Sequence, residues 1–270
     1  MKRHEKATGA EAFRQHYRSI FGERWEGLEA TLAMPSDSVA IDLGGTEPYF
    51  LDSASVFAAE SLNLPEDGEI LDACAAPGGK SLIIASRMAG NNLKLIANEL
   101  SSDRRRRLSE VLDRSLPPEI RSRVVVAGED AGAMCRRNVG RFGAILLDAP
   151  CSSERHVLAD SVALAAWSPS RPRSLAQRQW ALLSSAFLML KPGACLVYST
   201  CALDPVENDG VAGRLAAKYK GLVEYDPPHG QIGQASDAGE KTAFGFFIAP
   251  DLACGAGPMY ICRVRKKSQH

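Results

Sequence analysis

From about Gly68 onward the chain alternates short apolar runs with longer amphipathic ones, and the period of each run predicts its element. EILDAC (69–74), LKLIAN (93–98), RVVVAG (123–128), FGAILLDAP (142–150) and ACLVYST (194–200) read as strands. They are more continuously apolar than a half-exposed strand needs to be, as expected where helices cover both faces of a parallel sheet. A helix, SLIIASRMAG, follows the APGGK turn, and a charged helix follows Glu99. SLAQRQWALLSSAFLML (174–190) forms another, closed by Lys191-Pro192-Gly193. Strands and helices in this alternation predict an α/β fold with a doubly wound, mostly parallel sheet. FGFFIA (244–249) and MYICRVR (259–265), flanking a Gly/Pro-rich loop, predict a C-terminal antiparallel hairpin at the sheet edge.

Upstream of this region the pattern differs. Residues 11–33 carry apolar and aromatic positions at helical spacing with no internal Pro, predicting one or two helices, and Met34 to Glu47 reads as an irregular linker. The division expected is an N-terminal helical extension over 1–45 and an α/β domain over 46–270.

In open α/β sheets ligands collect beyond the carboxyl ends of the strands. The five predicted strands lead there into Pro77-Gly78-Gly79-Lys80, Glu99, Asp130, Asp148-Ala149-Pro150-Cys151 and Thr200-Cys201. The glycine turn is neither a P-loop, whose first glycine would fall at Cys74, nor a dinucleotide-binding G-x-G-x-x-G. It suits a small ligand passing close to backbone, with the N–H groups of the next helix facing a carboxylate. Glu99 can accept both hydroxyls of a ribose, and Asp130 an adenine amine. A nucleoside carrying an amino acid fits that spacing, and S-adenosylmethionine is such a ligand.

Beside a methyl donor, a pair of cysteines suggests pyrimidine chemistry. Carbon 5 of cytosine is a poor nucleophile until a thiolate adds to carbon 6. The reaction therefore needs an activated Cys, an acidic group on the ring edge and a base for elimination. Cys151 and Cys201 are both placed for it, with Asp148 three residues before the first; the chemistry alone leaves open which sulfur attacks.

Charge is evenly balanced, with 32 Lys and Arg against 32 Asp and Glu, a weak argument against a nucleic-acid partner. Local basic clusters temper it: Arg104 to Arg107 form an unbroken run, expected to be a solvated helix face, and Arg171, Arg173 and Arg178 lie nearer the expected site. Seven cysteines, an odd number without zinc-knuckle spacing, predict free thiols and a reducing compartment, with Cys195 and Cys262 in the core. No metal site is expected: His156 reads as a polar loop residue without partners at ligand spacing. Trp25, Trp167 and Trp180 are expected to pack, with base stacking the alternative for Trp167. No apolar run approaches the roughly 18 residues of a membrane span, and MKRHEKATGAEAF lacks the apolar stretch of a signal peptide, so the expected location is cytoplasmic.

LDACAAPGGKSL (71–82), LLDAPCSSERHVL (146–158) and LVYSTCALDPVEND (196–209) closely resemble the motifs of the Fmu/Sun family of RNA 5-methylcytosine methyltransferases. YFLDSASVFAA (49–59) is similar to its short upstream motif and FGFFIA to its C-terminal strand, so the resemblance covers roughly 45–265. It implies a seven-stranded, Rossmann-like S-adenosylmethionine-dependent methyltransferase domain, which makes 46–270 the catalytic domain. Cys201 is then the nucleophile and Cys151 the cysteine that helps release product. Cys74, Ala75, Ala76, Pro77, Gly78, Gly79, Lys80, Glu99, Asp130 and Asp148 line the cofactor pocket; Lys80 also reaches toward the substrate and Asp148 holds the cytosine. The segment HYRSIFGERWEGLEATL looks most like short, mitochondrial-type members, which makes a mitochondrial location the alternative. The expected partner is RNA, ribosomal before transfer, bound by a monomer that a second protein could assist. The Ser often found after the nucleophile is Ala202 here, a tolerable change because the thiol remains. Two other readings stay in view. A DNA cytosine methyltransferase would use Cys151 and carry a large target-recognition insert, which is not visible; an RNA-binding assembly factor would not need both cysteines and the full set of cofactor residues.

Overall fold

The computed structural model describes residues 9–230 and 238–268. The helical spacing near the N-terminus becomes α1 (Gly9–Phe21) and α2 (Trp25–Leu32), which bury Phe13, Tyr17, Trp25 and Leu28 completely. Within the stretch expected to be an irregular linker, Ser38–Ile41 forms β1 and pairs antiparallel with β2 (Tyr49–Asp52). None of its four residues is fully buried, so it carries little of the apolar alternation that would betray a strand. β2 runs directly into α3 (Ser53–Glu60), and the Asp52 carboxylate caps that helix by accepting from the N–H groups of Ala54 and Ser55.

The α/β region then proceeds through β3 (Asp67–Asp72), α4 (Gly79–Ser86), β4 (Asn92–Asn98), α5 (Ser102–Ser115), α6 (Pro118–Arg121) and β5 (Val124–Ala127). After it come β6 (Phe142–Asp148), α7 (Glu154–Ala159), α8 (Ser161–Ala165), α9 (Ser170–Met189), β7 (Leu190–Thr200) and α10 (Asp209–Lys218). β8 (Val223–Asp226), β9 (Gly239–Lys241), β10 (Phe246–Ile248) and β11 (Met259–Lys266) complete the described chain. β7 begins four residues earlier than the sequence pattern suggested, because the Lys191-Pro192-Gly193 turn is taken up as an irregularity in its pairing with β6.

The sheet runs β5-β4-β3-β6-β7-β11-β10-β9, with β8 also on β11. Pairings among β3 to β7 are parallel and those of β11 antiparallel, as the sequence implied. The strand count differs: nine rather than seven. β11 is long enough to pair with β7 along one edge and to share the other between β10, near its start, and β8, near its end, while β9 extends the sheet beyond β10.

Alternate strand residues enter two separate cores. Leu71, Ile145, Leu147, Leu196 and Tyr198 face one, with Phe187 of α9; Ile70, Ala144, Leu146 and Val197 face the other, with Leu82 of α4 and Leu108 of α5. Phe13, Tyr17 and Trp25 belong to the first, so α1 and α2 share the core of the sheet. Trp167 lies among them, its ring 5.2 Å from that of Phe13 and 5.3 Å from that of His16. At 1% exposure it packs and cannot stack on a base.

The chain moves outward from β3 through β4 to β5, then crosses back to β6 on the other side of β3. That reversal opens a crevice at the carboxyl ends of β3 and β6, where α/β sheets bind ligands.

Candidate active site

The turn after β3 is held from both sides. Gly78 has φ +124°, and a Cβ there would stand 3.1 Å from Val111 and 3.2 Å from Leu108 of α5; a Cβ on Gly79 would come within 2.7 Å of Leu51 and 2.8 Å of Tyr49. The two glycines thus let α5 and β2 close around the turn, a packing requirement beyond the approach of a ligand. Cys74, Ala76 and Pro77 face a cavity of about 770 Å³, while Ala75 lies buried behind them. Burial pushes the Cys74 thiol up to about 12, assisted by the charges of Asp72 and Asp148, so it is inert.

The opposite wall is formed by Asp148 to Cys151, Ser153, His156 and Cys201. A second cavity of about 420 Å³ adjoins it, sharing Ser153, His156 and Cys201 and reaching Asp52, Ser55 and Arg155. Cys201 therefore stands where two ligand-sized spaces meet. Its sulfur is 2.8 Å from that of Cys151, and the Ser153 hydroxyl is 3.3 Å and 3.4 Å from the two. The parallel pairing of β6 with β7 sets Asp148 opposite Ser199, which is what collapses fifty residues of sequence into one contact. Ser153 adopts the left-handed region, φ 54°, a conformation that costs a non-glycine residue about 1 kcal/mol or more.

Lys80, on the first turn of α4, donates to Asp148 Oδ2 at 2.8 Å and to Ser55 Oγ at 3.1 Å; Ser199 Oγ donates to Asp148 Oδ1 at 2.9 Å. Burial pulls the Lys80 ammonium down, but Asp148, then Cys201 and Asp72, outweigh it and the net shift is upward. A cation is thus fixed beside the nucleophile candidate.

Glu99 is 5% exposed at the end of β4. One carboxylate oxygen accepts from Ser101 N–H at 2.9 Å and the other lies 3.5 Å from Arg104, whose guanidinium also donates to the Ala76 carbonyl. Arg105 donates to the carbonyls of Glu99 and Leu100. Arg104 and Arg107 line the cavity and Arg105 is tied to the backbone after β4, so the run is not a purely solvated face; Glu99 and Lys80 are not among the lining residues. The cavity lining does not include Arg171, Arg173 or Arg178, which are exposed near the start of α9. Asp130 is exposed beyond β5, where it accepts from the N–H of Gly132.

Asp72 is fully enclosed beneath this site. Ser81 donates to its Oδ2 at 2.6 Å, its Oδ1 has no partner, and burial pushes its carboxyl up to about 7. In the unfolded chain the same group titrates near about 4. Between these values the folded protein binds more protons than the unfolded one, so this contribution to stability declines as pH rises and is fully lost above 7. His229, shifted downward by burial, acts in the opposite sense below about 6.5, so a comparison of variants isolates the effect. We expect Asp72→Asn to flatten the fall in melting temperature between pH 5 and pH 8. The unpaired amide it introduces adds an offset without a slope; an unchanged slope by calorimetry would remove Asp72 as its source.

The family model for the 16S rRNA methyltransferases RsmB/F matches residues 59–247. The chain belongs to the RsmB/F family. This is a family of S-adenosylmethionine-dependent methyltransferases. Among curated relatives, the chain is 36% identical over 245 residues to ribosomal RNA small subunit methyltransferase F of Klebsiella pneumoniae, covering 90% of this chain and 50% of that protein. It is 32% identical over 224 residues to the mitochondrial tRNA (cytosine(34)-C(5))-methyltransferase of Danio rerio, covering 81% of this chain and 60% of that one. The chain thus spans about half the length of the relatives it matches. Among solved structures, NSun6 of Pyrococcus horikoshii with SFG superposes with a TM-score of 0.66 at 25% identity, over 83% of this chain and 54% of that one. A methyltransferase homolog from the same organism gives 0.70 at 20% identity over 95% and 94%, a likeness of fold.

Several residues of this candidate site are not evident from the sequence. His156 lines both cavities from α7 instead of sitting in a loop, and Ser153 lies between the sulfurs. Both lie within the motif at 146–158, so proximity to Cys151 was the available signal. Ser55 and Asp52 come from the upstream motif at 49–59, whose place in the site only the fold reveals. Among the described residues no cluster of His, Cys, Asp and Glu could hold a metal, and no helix is long and apolar enough to cross a membrane.

Proposed function

We propose that this protein methylates carbon 5 of a cytosine in RNA, using Cys201 as a covalent nucleophile. The observation that carries the reading is the pair of sulfurs 2.8 Å apart on adjoining strand ends, at a cavity they share with Asp148. Membership of the RsmB/F family and the two named relatives support RNA as the substrate. We take ribosomal RNA before transfer RNA, following the family, although the second relative acts on the latter.

The cavity suits the cofactor. Its volume lies within the roughly 300–1,000 Å³ of small-molecule sites, and the buried Glu99 carboxylate, outside the lining but 3.5 Å from the lining residue Arg104, has oxygen lone pairs to spare for ribose hydroxyls. Cys74 to Pro77, Glu99 and Asp148 would hold S-adenosylmethionine, with Asp130 further out. When bound, the cofactor supplies an electrophilic methyl group next to the pyrimidine.

The chain's own residues do the rest. The Cys201 sulfur adds to carbon 6, and the ring electrons that this displaces make carbon 5 nucleophilic. Asp148, fixed by Lys80 and Ser199, accepts from the ring edge and orients the base. After methylation the carbon-5 proton passes to solvent water at the open cavity, the C–H electron pair re-forms the 5,6 double bond, the carbon 6–sulfur bond breaks, and the ring regains aromaticity as Cys201 leaves as the thiolate. Cys151 is pushed well above an ordinary thiol by its hydrogen bond with Cys201 and by burial, so it stands as a proton-bearing neighbour that assists product release. We take residues 46–270 as the catalytic domain and 1–45 as an N-terminal extension, of which α1 and α2 pack into the core of the sheet.

Bisulfite mapping of total RNA from cells with and without the protein tests the reading. A cytosine that loses its protection when the protein is absent is expected; an unchanged map would overturn it. Glu99→Ala should weaken S-adenosylmethionine binding about 10- to 100-fold, since hydrogen bonds to a charged acceptor contribute about 1.5–3 kcal/mol. Unchanged affinity by calorimetry would take Glu99 out of the pocket.

A further inference from the structure

Behind the two cysteines lies an acid that lines neither cavity. Glu154, the first residue of α7, is 0% exposed, and its carboxylate gathers donors from three parts of the chain. One oxygen accepts the hydroxyls of Tyr17, from α1, and of Ser152, next to Cys151. The other accepts the backbone N–H of Leu203, two residues beyond Cys201, at 3.0 Å. Glu207 braces the same loop from the far side, accepting from Ser152 N–H at 3.0 Å and from Gln179 at 2.7 Å. A buried carboxylate without a cation is costly and survives only where donors converge on it. Here they converge from both cysteine loops and from the N-terminal helix.

We propose that Glu154 is a positioning residue that holds the Cys151 and Cys201 loops in register and makes α1 part of the catalytic apparatus. The proposal rests on the reading that both cysteines act in the reaction. A purely structural brace could be neutral, and the charge of Glu154 has a further consequence. The Cys151 thiol is pushed up by its hydrogen bond with Cys201, by burial and by the charge of Cys201; the Ser153 hydrogen bond opposes this, and the charge of Glu154 adds a smaller upward contribution than any of these. On the other side, the Lys80 ammonium stands near Cys201. Burial raises the Glu154 carboxyl, and the hydrogen bonds from Ser152, Tyr17 and Leu203 oppose that shift, so its three donors hold what charge it brings to the Cys151 side while Lys80 brings a cation to the Cys201 side, the asymmetry that a thiol and an attacking thiolate require.

Glu154→Gln keeps the shape and removes the charge; Tyr17→Phe removes one hydroxyl from the same cluster. Each full-length variant is assayed for RNA methylation and for the pH dependence of Cys151 alkylation by iodoacetamide, read by peptide mass spectrometry. Glu154→Gln is expected to lower kcat at least tenfold, to leave KM for the methyl donor within twofold, and to move the Cys151 midpoint to lower pH. Tyr17→Phe is expected to lower kcat several-fold, and it decides the matter alone should Glu154→Gln fail to fold. A midpoint that stays put in Glu154→Gln, or a kcat within twofold of wild type in Tyr17→Phe, overturns the proposal. If the wild type methylates no RNA, the functional reading fails, while the alkylation profile still decides the role of Glu154.

Discussion

Cys151→Ala should stall as a covalent complex with its RNA, whereas Cys201→Ala should form no complex and methylate nothing. The difference follows from what each sulfur does. Without Cys201 no nucleophile reaches carbon 6, the ring stays aromatic, and carbon 5 cannot attack; loss of a covalent nucleophile costs on the order of 10⁴-fold or more in kcat. Without Cys151 the addition still proceeds, because Cys201, Lys80 and Asp148 remain, but release of the product is slowed. Denaturing electrophoresis of each variant with labelled RNA distinguishes them: a retarded band is expected for Cys151→Ala alone. The reverse pattern would move the nucleophile to Cys151 and favour the scheme of DNA cytosine methyltransferases.

Asp148→Asn should lower kcat by about 10² to 10⁴, the usual range for a group engaged in proton transfer or ring polarisation, with less effect on the KM for RNA. The substitution is nearly isosteric and can keep the hydrogen bond from Ser199. What it removes is the charge that outweighs burial at Lys80, a side chain only 11% exposed. Lys80 would then lose its main reason to stay protonated, and the cation beside Cys201 with it. Steady-state kinetics across pH should therefore show both a lower plateau and a profile shifted along the pH axis. A kcat within tenfold of wild type at neutral pH would mean that Asp148 does not act on the substrate.

Much of this site was legible because its chemistry sits on strand ends. The apolar runs from EILDAC to ACLVYST located the strands, and the polar residues just beyond them could then be listed without knowing the helices. Lys80, Asp148, Cys151 and Cys201 do converge in the structure. Asp130 and Glu99 stand outside the lining of the cavity that Asp148 and the two cysteines share; β5 is the outermost strand on its side, and Asp130 is exposed beyond it. The β1–β2 ribbon was invisible because half-exposed four-residue strands have no marked apolar pattern. Trp167 sits close in sequence to the Cys151 loop but is claimed by the core through Phe13 and His16. Nothing in the sequence singles out Glu154, since its three donors lie 137, 2 and 49 residues away and only folding brings them together.

Convergence of both thiols on one base is tested most directly by RNA carrying 5-fluorocytosine, whose carbon 5 cannot lose a proton after methylation, so the carbon 6 adduct persists. Digestion and mass spectrometry of the trapped complex then identify the modified peptide. A methylated fluoropyrimidine on Cys201 is the expected result; an adduct on Cys151, or none with RNA that the protein methylates when unfluorinated, would contradict it.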